Sequence, residues 1–155
     1  MTSTIEKRAR ENGIEIPEPP PSGANHLPFI QTGNLLFISG QQPIVNGERK
    51  FLGLVGADIS PEEAKAGCRV CALNMIGQVR KALNGDLDRV VRCVRIAGFV
   101  NAAPDFYASP DVIHGASEAI VEVFGDAGWH SRTAMGAGPL PFNVSVLIDG
   151  VWEIR

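Results

Sequence analysis

The sequence predicts an α+β fold in which one sheet carries two amphipathic helices on a single face. Three observations predict it. Two apolar stripes recur at helical spacing, each opened by a Ser-Pro pair. Short runs rich in Val, Ile and Leu are bounded by glycines, the pattern of buried strands. Their order along the chain is strands, helix, strand, helix, strand, which suits a two-layer α+β or α/β sandwich.

Residues 3 to 12 read as a short polar helix closed by Gly13, and the prolines from Pro17 to Pro21 then force an extended segment, because proline fixes φ and removes amide donors. A first strand region follows near Leu27 to Thr32. The apolar run Asn34 to Ser39, between Gly33 and Gly40, is the next strand. Asn46-Gly47 is a tight-turn signal, so residues near Arg49 to Val55 are expected to return as a strand.

Ser60-Pro61-Glu62-Glu63 starts the first long helix: Ser60 caps, Pro61 fits the first helical position and Glu63 can complete a capping box. Its buried stripe is Ala64, Cys68, Cys71, Met75, Val79 and Ala82, and Asn84-Gly85 stops it. Val90 to Val100 forms a strand. Ser109-Pro110 opens the second helix, with a stripe through Ile113, Ala116, Ile120 and Val123 that ends at Gly125. Val144 to Ile148 is read as a strand, Asp149-Gly150 as a turn, and Val151 to Ile154 as a short terminal strand. Leu35, Phe37, Val94, Ile96, Val144 and Val146 supply apolar groups to both sheet faces, which points to oligomerisation. The whole reads as one domain, residues 1–155, with an N-terminal extension over 1–22.

Composition narrows the function. With 45% hydrophobic and 20% charged residues and a net charge of −3, the chain lacks the basic stripe of a phosphate-binding surface. Arg80, Lys81, Arg89, Arg92 and Arg95 are interrupted by Asp86 and Asp88 and read as a solvated, mixed-sign face, so nucleic acid is not the expected partner. No run approaches the roughly 20 apolar residues that cross a bilayer, and no signal peptide opens the chain. The three cysteines, Cys68, Cys71 and Cys93, form an odd set without a disulfide pattern, which suits a reducing, cytoplasmic setting. The spacing of Cys68 and Cys71 could be half a zinc site, but no second ligand pair follows and both fall on a buried helix face. No metal is therefore expected.

Phosphate loops, nucleophile elbows and dinucleotide fingerprints are absent. His26, His114 and His130 are far apart in sequence. Two segments stand out. Gly33 to Pro43 contains a strand ending in Ser39-Gly40-Gln41, where glycine exposes backbone amides to a ligand. Ser131 to Pro141 feeds the last strand and places Arg132 among small residues, with no acidic residue between Trp129 and Ile148. An unpaired guanidinium on a concave, glycine-lined surface suits bidentate carboxylate binding, while an ordinary surface arginine is the plain alternative.

These segments together resemble the reactive-intermediate deaminase family, also called YjgF-like or endoribonuclease L-PSP-like. The similarity rests on G-N-x-x-x-x-S-G-Q-x-P at Gly33 to Pro43, then helix, strand and helix, then Arg132, Leu140-Pro141 and a valine-rich strand. It spans about residues 24 to 148. The resemblance implies a chorismate-mutase-like homotrimer with ligand clefts between subunits, hydrolysing reactive enamines and imines to 2-oxo acids and ammonia without cofactor. It also implies that Arg132 binds the substrate carboxylate, that Ser39 and Gly40 line the pocket, and that the Ala134 amide replaces a common cysteine position. His26 falls at a pocket tyrosine and His114 at a pocket asparagine, and either is a candidate for proton transfer. Leu147 occupies the position where active members usually carry a glutamate that positions water, which marks a divergent subgroup. The alternatives are a non-catalytic carboxylate-binding trimer, a ribonuclease, and a structural trimer in which Arg132 pairs across an interface.

Overall fold

The computed structural model describes residues 2–155. Five strands form one sheet in the order β1-β2-β7-β5-β6, and a separate two-stranded hairpin pairs β3 with β4. The strands are β1 (Phe29–Thr32), β2 (Leu35–Gln41), β3 (Ile44–Val45), β4 (Glu48–Arg49), β5 (Val90–Asn101), β6 (Ser131–Ala137) and β7 (Val146–Ile154); the helices are α1 (Thr4–Glu11), α2 (Pro61–Ala82) and α3 (Ser109–Phe124). The architecture is α+β, with α2 packed over β2 and β7 and α3 over β5 and β6.

Both long helices form where the Ser-Pro pairs predict, but only α2 has a side-chain cap; α3 begins at Ser109 after Ala108, with no capping side chain. Ser60 Oγ accepts from the Glu63 amide at 3.1 Å and opens α2. The stripe residues Ala64, Cys68, Cys71, Met75 and Val79 are buried beneath it, as are Ile113, Ala116, Ile120 and Val123 beneath α3. The core closes around Trp152, whose ring lies 5.0 Å from that of Phe124 at 55°. All three cysteines are buried and free. Burial pushes Cys68 and Cys93 up to about 12, and Cys71 also well above the usual thiol value.

The N-terminal helix and linker pack onto this body. Asp88 accepts from the Thr4 and Ile5 amides at 2.8 and 3.0 Å, holding the first turn of α1. Arg80 pairs with Glu6 and Glu18 and donates to the Ile16 carbonyl. Arg92 faces Glu153 at 3.7 Å. The basic residues of that region are thus mixed with carboxylates, as expected from the sequence, but Arg80 is largely buried against the linker rather than solvated.

The structure corrects three strand expectations. The return of Arg49 to Val55 as a strand stops after Arg49, because Phe51 and Gly53 adopt positive φ of 57° and 111° and turn the chain out of the extended region. The expected break at Asp149-Gly150 is absent: β7 runs straight through, and Gly150 pairs with Ile38 on one side and Ile96 on the other. Glycine is needed there for packing, since an added Cβ would lie 2.7 Å from Met75 Sδ. Third, the Arg132 segment is itself a strand. β6 pairs in parallel with β5 at the sheet edge, with Arg132 opposite Ile96 and Ala134 opposite Gly98.

That register fixes the direction of Arg132. An added Cβ on Gly98 would meet Ile113 of α3, so Gly98 and its partner Ala134 face the helix layer. Side chains alternate along a strand, so Arg132, two residues earlier, faces the same layer beside α3. Ser131, Thr133 and Met135 point to the open face, where Ile30, Phe37 and Met135 are 51%, 43% and 49% exposed.

Candidate functional site

Two cavities contain the residues singled out by sequence, except Ala134, which lines neither. The first, about 500 Å³, is lined by His114, Ser117, Glu118, Val121, Glu122, Trp129, His130 and Arg132. Its wall is histidine, serine and Trp129 rather than the glycine-lined surface expected. Helix α3 contributes His114 and Ser117 from one face, because residues three apart are neighbours there. Strand β6 brings Arg132 against them, and the 3-10 turn Gly125–Gly128 delivers His130.

The hydrogen bonds here form a continuous chain. Arg132 Nη1 donates to His114 Nδ1 at 3.0 Å and to Ser117 Oγ at 3.1 Å. Ser117 Oγ lies 2.9 Å from His130 Nε2, and His130 Nδ1 lies 2.6 Å from the Gly128 carbonyl. A guanidinium only donates, so both Nη1 protons are engaged and Nη2 and Nε keep theirs. Among the described residues no carboxylate pairs with Arg132. Glu118 and Glu122, on the rim, are taken by Lys65 at 3.1 Å and Arg69 at 2.7 Å. One edge of Arg132, Nε and Nη2, is therefore left without a partner among the described residues. That edge matches a carboxylate side-on.

The second cavity, about 290 Å³, holds Ser39, Gly40 and His26, with Pro28, Gln42, Arg49, Gln78 and Phe142 also in its wall. Ser39 Oγ donates to the Leu27 carbonyl at 2.7 Å and ties β2 to the segment before β1. His26 is exposed, and its own carbonyl accepts from Ser22 Oγ at 2.6 Å. Gly40 sits at a register shift between Ile38 and Gln41, and an added Cβ would lie 3.1 Å from Leu147. The leucine thus lies against the Gly40 backbone.

One chain does not bring the two groups together. Ser39 on β2 and Arg132 on β6 are separated by β7 and β5, three strand steps or roughly 14 Å. Arg132 and His114 meet, whereas His26, Ser39 and Gly40 gather elsewhere. Ala134 stays with Arg132, on the same face of β6. Sequence reasoning missed Ser117 and set His130 aside. The available signals were the three-residue spacing of His114 and Ser117 on α3, and the proximity of His130 to Arg132 in the chain. Among the described residues, no group of three His, Cys, Asp or Glu side chains is placed to hold a metal ion, and no helix is long and apolar enough to cross a membrane.

The comparisons decide the family. The family described as "YjgF/chorismate mutase-like, putative endoribonuclease" matches residues 6–153. The chain belongs to this family. It is 43% identical to Atu1372 of Agrobacterium tumefaciens, whose crystal structure superposes with a TM-score of 0.91 over 97% of this chain and 92% of that one. It is 38% identical over 144 residues to Protein TCP17 of Trypanosoma cruzi, covering 92% of this chain and 89% of the relative. The YjgF protein of E. coli shares the fold at 22% identity, with a TM-score of 0.62 over 89% of this chain and 94% of the other. The contrast between these similarities is consistent with a divergent subgroup of the family.

Proposed function

We propose that this protein is a hydrolytic deaminase of reactive enamine and imine intermediates, releasing 2-oxo acids and ammonia, with Arg132 binding the substrate carboxylate. The observation that carries the reading is the free edge of Arg132: its Nη1 is engaged by His114 and Ser117, Nε and Nη2 have no partner among the described residues, and the residue lines a cavity whose wall includes Val121 and Trp129. A carboxylate bound there gains two charge-assisted hydrogen bonds. The apolar wall receives a short aliphatic side chain.

In this reading the site is completed by a neighbouring subunit of a homotrimer. The Ser39–Gly40 cavity lies too far from Arg132 to act on one substrate within a chain, and the open sheet face exposes Ile30, Phe37 and Met135. An assembly that covers this face and sets β2 of one subunit beside β6 of the next supports both observations. The amides near Gly40 and Ala134 then hold the polar groups of the bound imine. Water adds to the imine carbon, giving a carbinolamine that expels ammonia and leaves the 2-oxo acid. His114, accepting from Arg132 at Nδ1, carries its proton on Nε2 and donates to the reacting group, while His26 from the other cavity is the remaining candidate for proton transfer. No cofactor is required. The reaction suits the cytoplasm, where amino-acid chemistry releases such imines.

Leu147 favours a second reading, a non-catalytic trimer that binds small carboxylates. Its side chain packs on Gly40 where a water-positioning carboxylate would be needed. The two readings separate in one assay: imines generated enzymatically from serine or threonine, with 2-oxo acid release followed in time. The deaminase reading expects release well above the buffer rate, lost in Arg132→Ala. Binding of a 2-oxo acid without any acceleration would replace it with the binding reading.

A further inference from the structure

We infer that His130, acting through Ser117, is a positioning residue for Arg132, and that the same guanidinium fixes His114 as a hydrogen-bond donor toward the ligand. The inference rests on the reading of Arg132 as the carboxylate-binding group and specifies how that group is held.

The direction of every bond in the chain follows from its fixed end. The Gly128 carbonyl can only accept, so the proton between it and His130 sits on Nδ1. In a neutral ring Nε2 is then the acceptor, and the hydroxyl of Ser117 donates to it across 2.9 Å. That commits the single Ser117 proton and leaves the oxygen lone pairs facing Arg132 Nη1 at 3.1 Å. The second Nη1 proton goes to His114 Nδ1, so the His114 proton must be on Nε2. The two histidines are therefore opposite tautomers. The Gly128 carbonyl sets one and the guanidinium sets the other, and the guanidinium plane between them is pinned by two acceptors rather than by a carboxylate. An acidic partner would hold Arg132 more strongly but would also neutralise it; a serine and a neutral imidazole orient it and leave its charge for the ligand.

The surroundings keep His130 neutral. Burial holds its imidazole below the usual histidine range; the Gly128 carbonyl opposes this, and the Arg132 charge adds to it. The charged groups on the elements packed around the ring do not supply a competing anion. Glu118 and Glu122 of α3 are paired with Lys65 and Arg69. Arg92 of β5 faces Glu153, and Arg95 is turned to Thr133. Asp126 lies on the 3-10 turn and is exposed, and Asp111 stands 3.9 Å from His114 Nε2 rather than near His130.

Two measurements on the full chain test the proposal. Long-range ¹H–¹⁵N correlation of the imidazole nitrogens should show His130 protonated at Nδ1 and His114 at Nε2 near neutral pH. A shared tautomer, or averaged shifts for both rings, would overturn it without any ligand being added. Calorimetric titration with 2-oxobutanoate then reads the function of the chain. Ser117→Ala and His130→Ala should each weaken binding about two- to tenfold, the range for one hydrogen bond. The double variant should be no weaker than the worse single one, since both break one path. His130→Gln, whose Oε1 can accept from Ser117, should recover most of the loss, an outcome that damaged packing alone would not give. Losses that multiply, or variants that bind as wild type does, would refute the positioning role. Failure of the wild type to bind 2-oxobutanoate, with the opposite tautomers present, would instead strike the carboxylate reading of Arg132.

Discussion

Gly115→Ala couples the fold to the site most sharply. Gly115 lies on α3 between His114 and Ala116, where α3 crosses α2, and an ideal Cβ there would sit 2.2 Å from the Lys65 carbonyl oxygen. An ordinary carbon–oxygen approach is about 3.3 Å, so the helices must part by roughly 1 Å. Helix propensity alone would reward alanine over glycine by about 1 kcal/mol. Overpacking against a helix backbone costs about 1–3 kcal/mol, and here it falls at the upper end because a carbonyl cannot rotate out of the way. The expected net loss is about 2 kcal/mol, or roughly 4–8 °C in melting temperature for a chain of this size. An outward shift of α3 also carries His114 and Ser117 away from Arg132 Nη1, now at 3.0 and 3.1 Å, so carboxylate affinity should fall along with stability. Thermal unfolding with 2-oxobutanoate titration reads both quantities. A variant that melts at or above the wild-type temperature would show that propensity wins and that the helix crossing is looser than the structure has it.

Three other expectations follow from the same structure. Burial would raise the Asp88 carboxyl, but the Thr4 and Ile5 amides outweigh it, leaving its pKa below the usual carboxylate value; a depressed carboxyl stabilises above its unfolded pKa, and the contribution is lost as pH falls through the folded one. Asp88→Ala should thus lower stability at pH 7 by about 0.5–2 kcal/mol, as for a lost helix cap, and flatten the acid limb of the melting profile; an unchanged profile would contradict this. Cys68, Cys71 and Cys93 should react with a thiol reagent only on unfolding, since burial suppresses their thiolates, and rapid labelling of the native protein would show an opening motion absent from the packed core. Light scattering should report about three times 16.6 kDa, and a clean monomer at micromolar concentration would remove the shared-cleft reading.

The helices were legible in the sequence because their signals are local. Ser60-Pro61 and the Ala64–Val79 stripe need nothing beyond one turn of helix to be recognised. Strand β6 was not, because its residues, Ser-Arg-Thr-Ala-Met-Gly-Ala, include a single β-branched side chain, Thr133, and owe their extended form to pairing with β5. Asp149-Gly150 misled for the converse reason: a turn dipeptide is held straight when strands pair on both its sides. The site divides similarly. Arg132 could be singled out from its lack of acidic neighbours, a property of the sequence. Its partners lie 15 and 18 residues away on another element, and only the register of β6 against β5 sets them in contact. The separation of Ser39 and Gly40 from Arg132 is a matter of strand order, which the sequence did not reveal.

The central claim is that Arg132 holds a carboxylate. Its most direct measurement is calorimetric titration of 2-oxobutanoate into wild type, Arg132→Lys and Arg132→Ala, with light scattering and melting curves confirming the same folded assembly. Loss of a charge-assisted hydrogen bond predicts about ten- to a hundredfold weaker binding for alanine, and only partial recovery for lysine, which lacks the planar fork. An Arg132→Ala protein that keeps its assembly and binds 2-oxobutanoate as tightly as wild type would contradict the account.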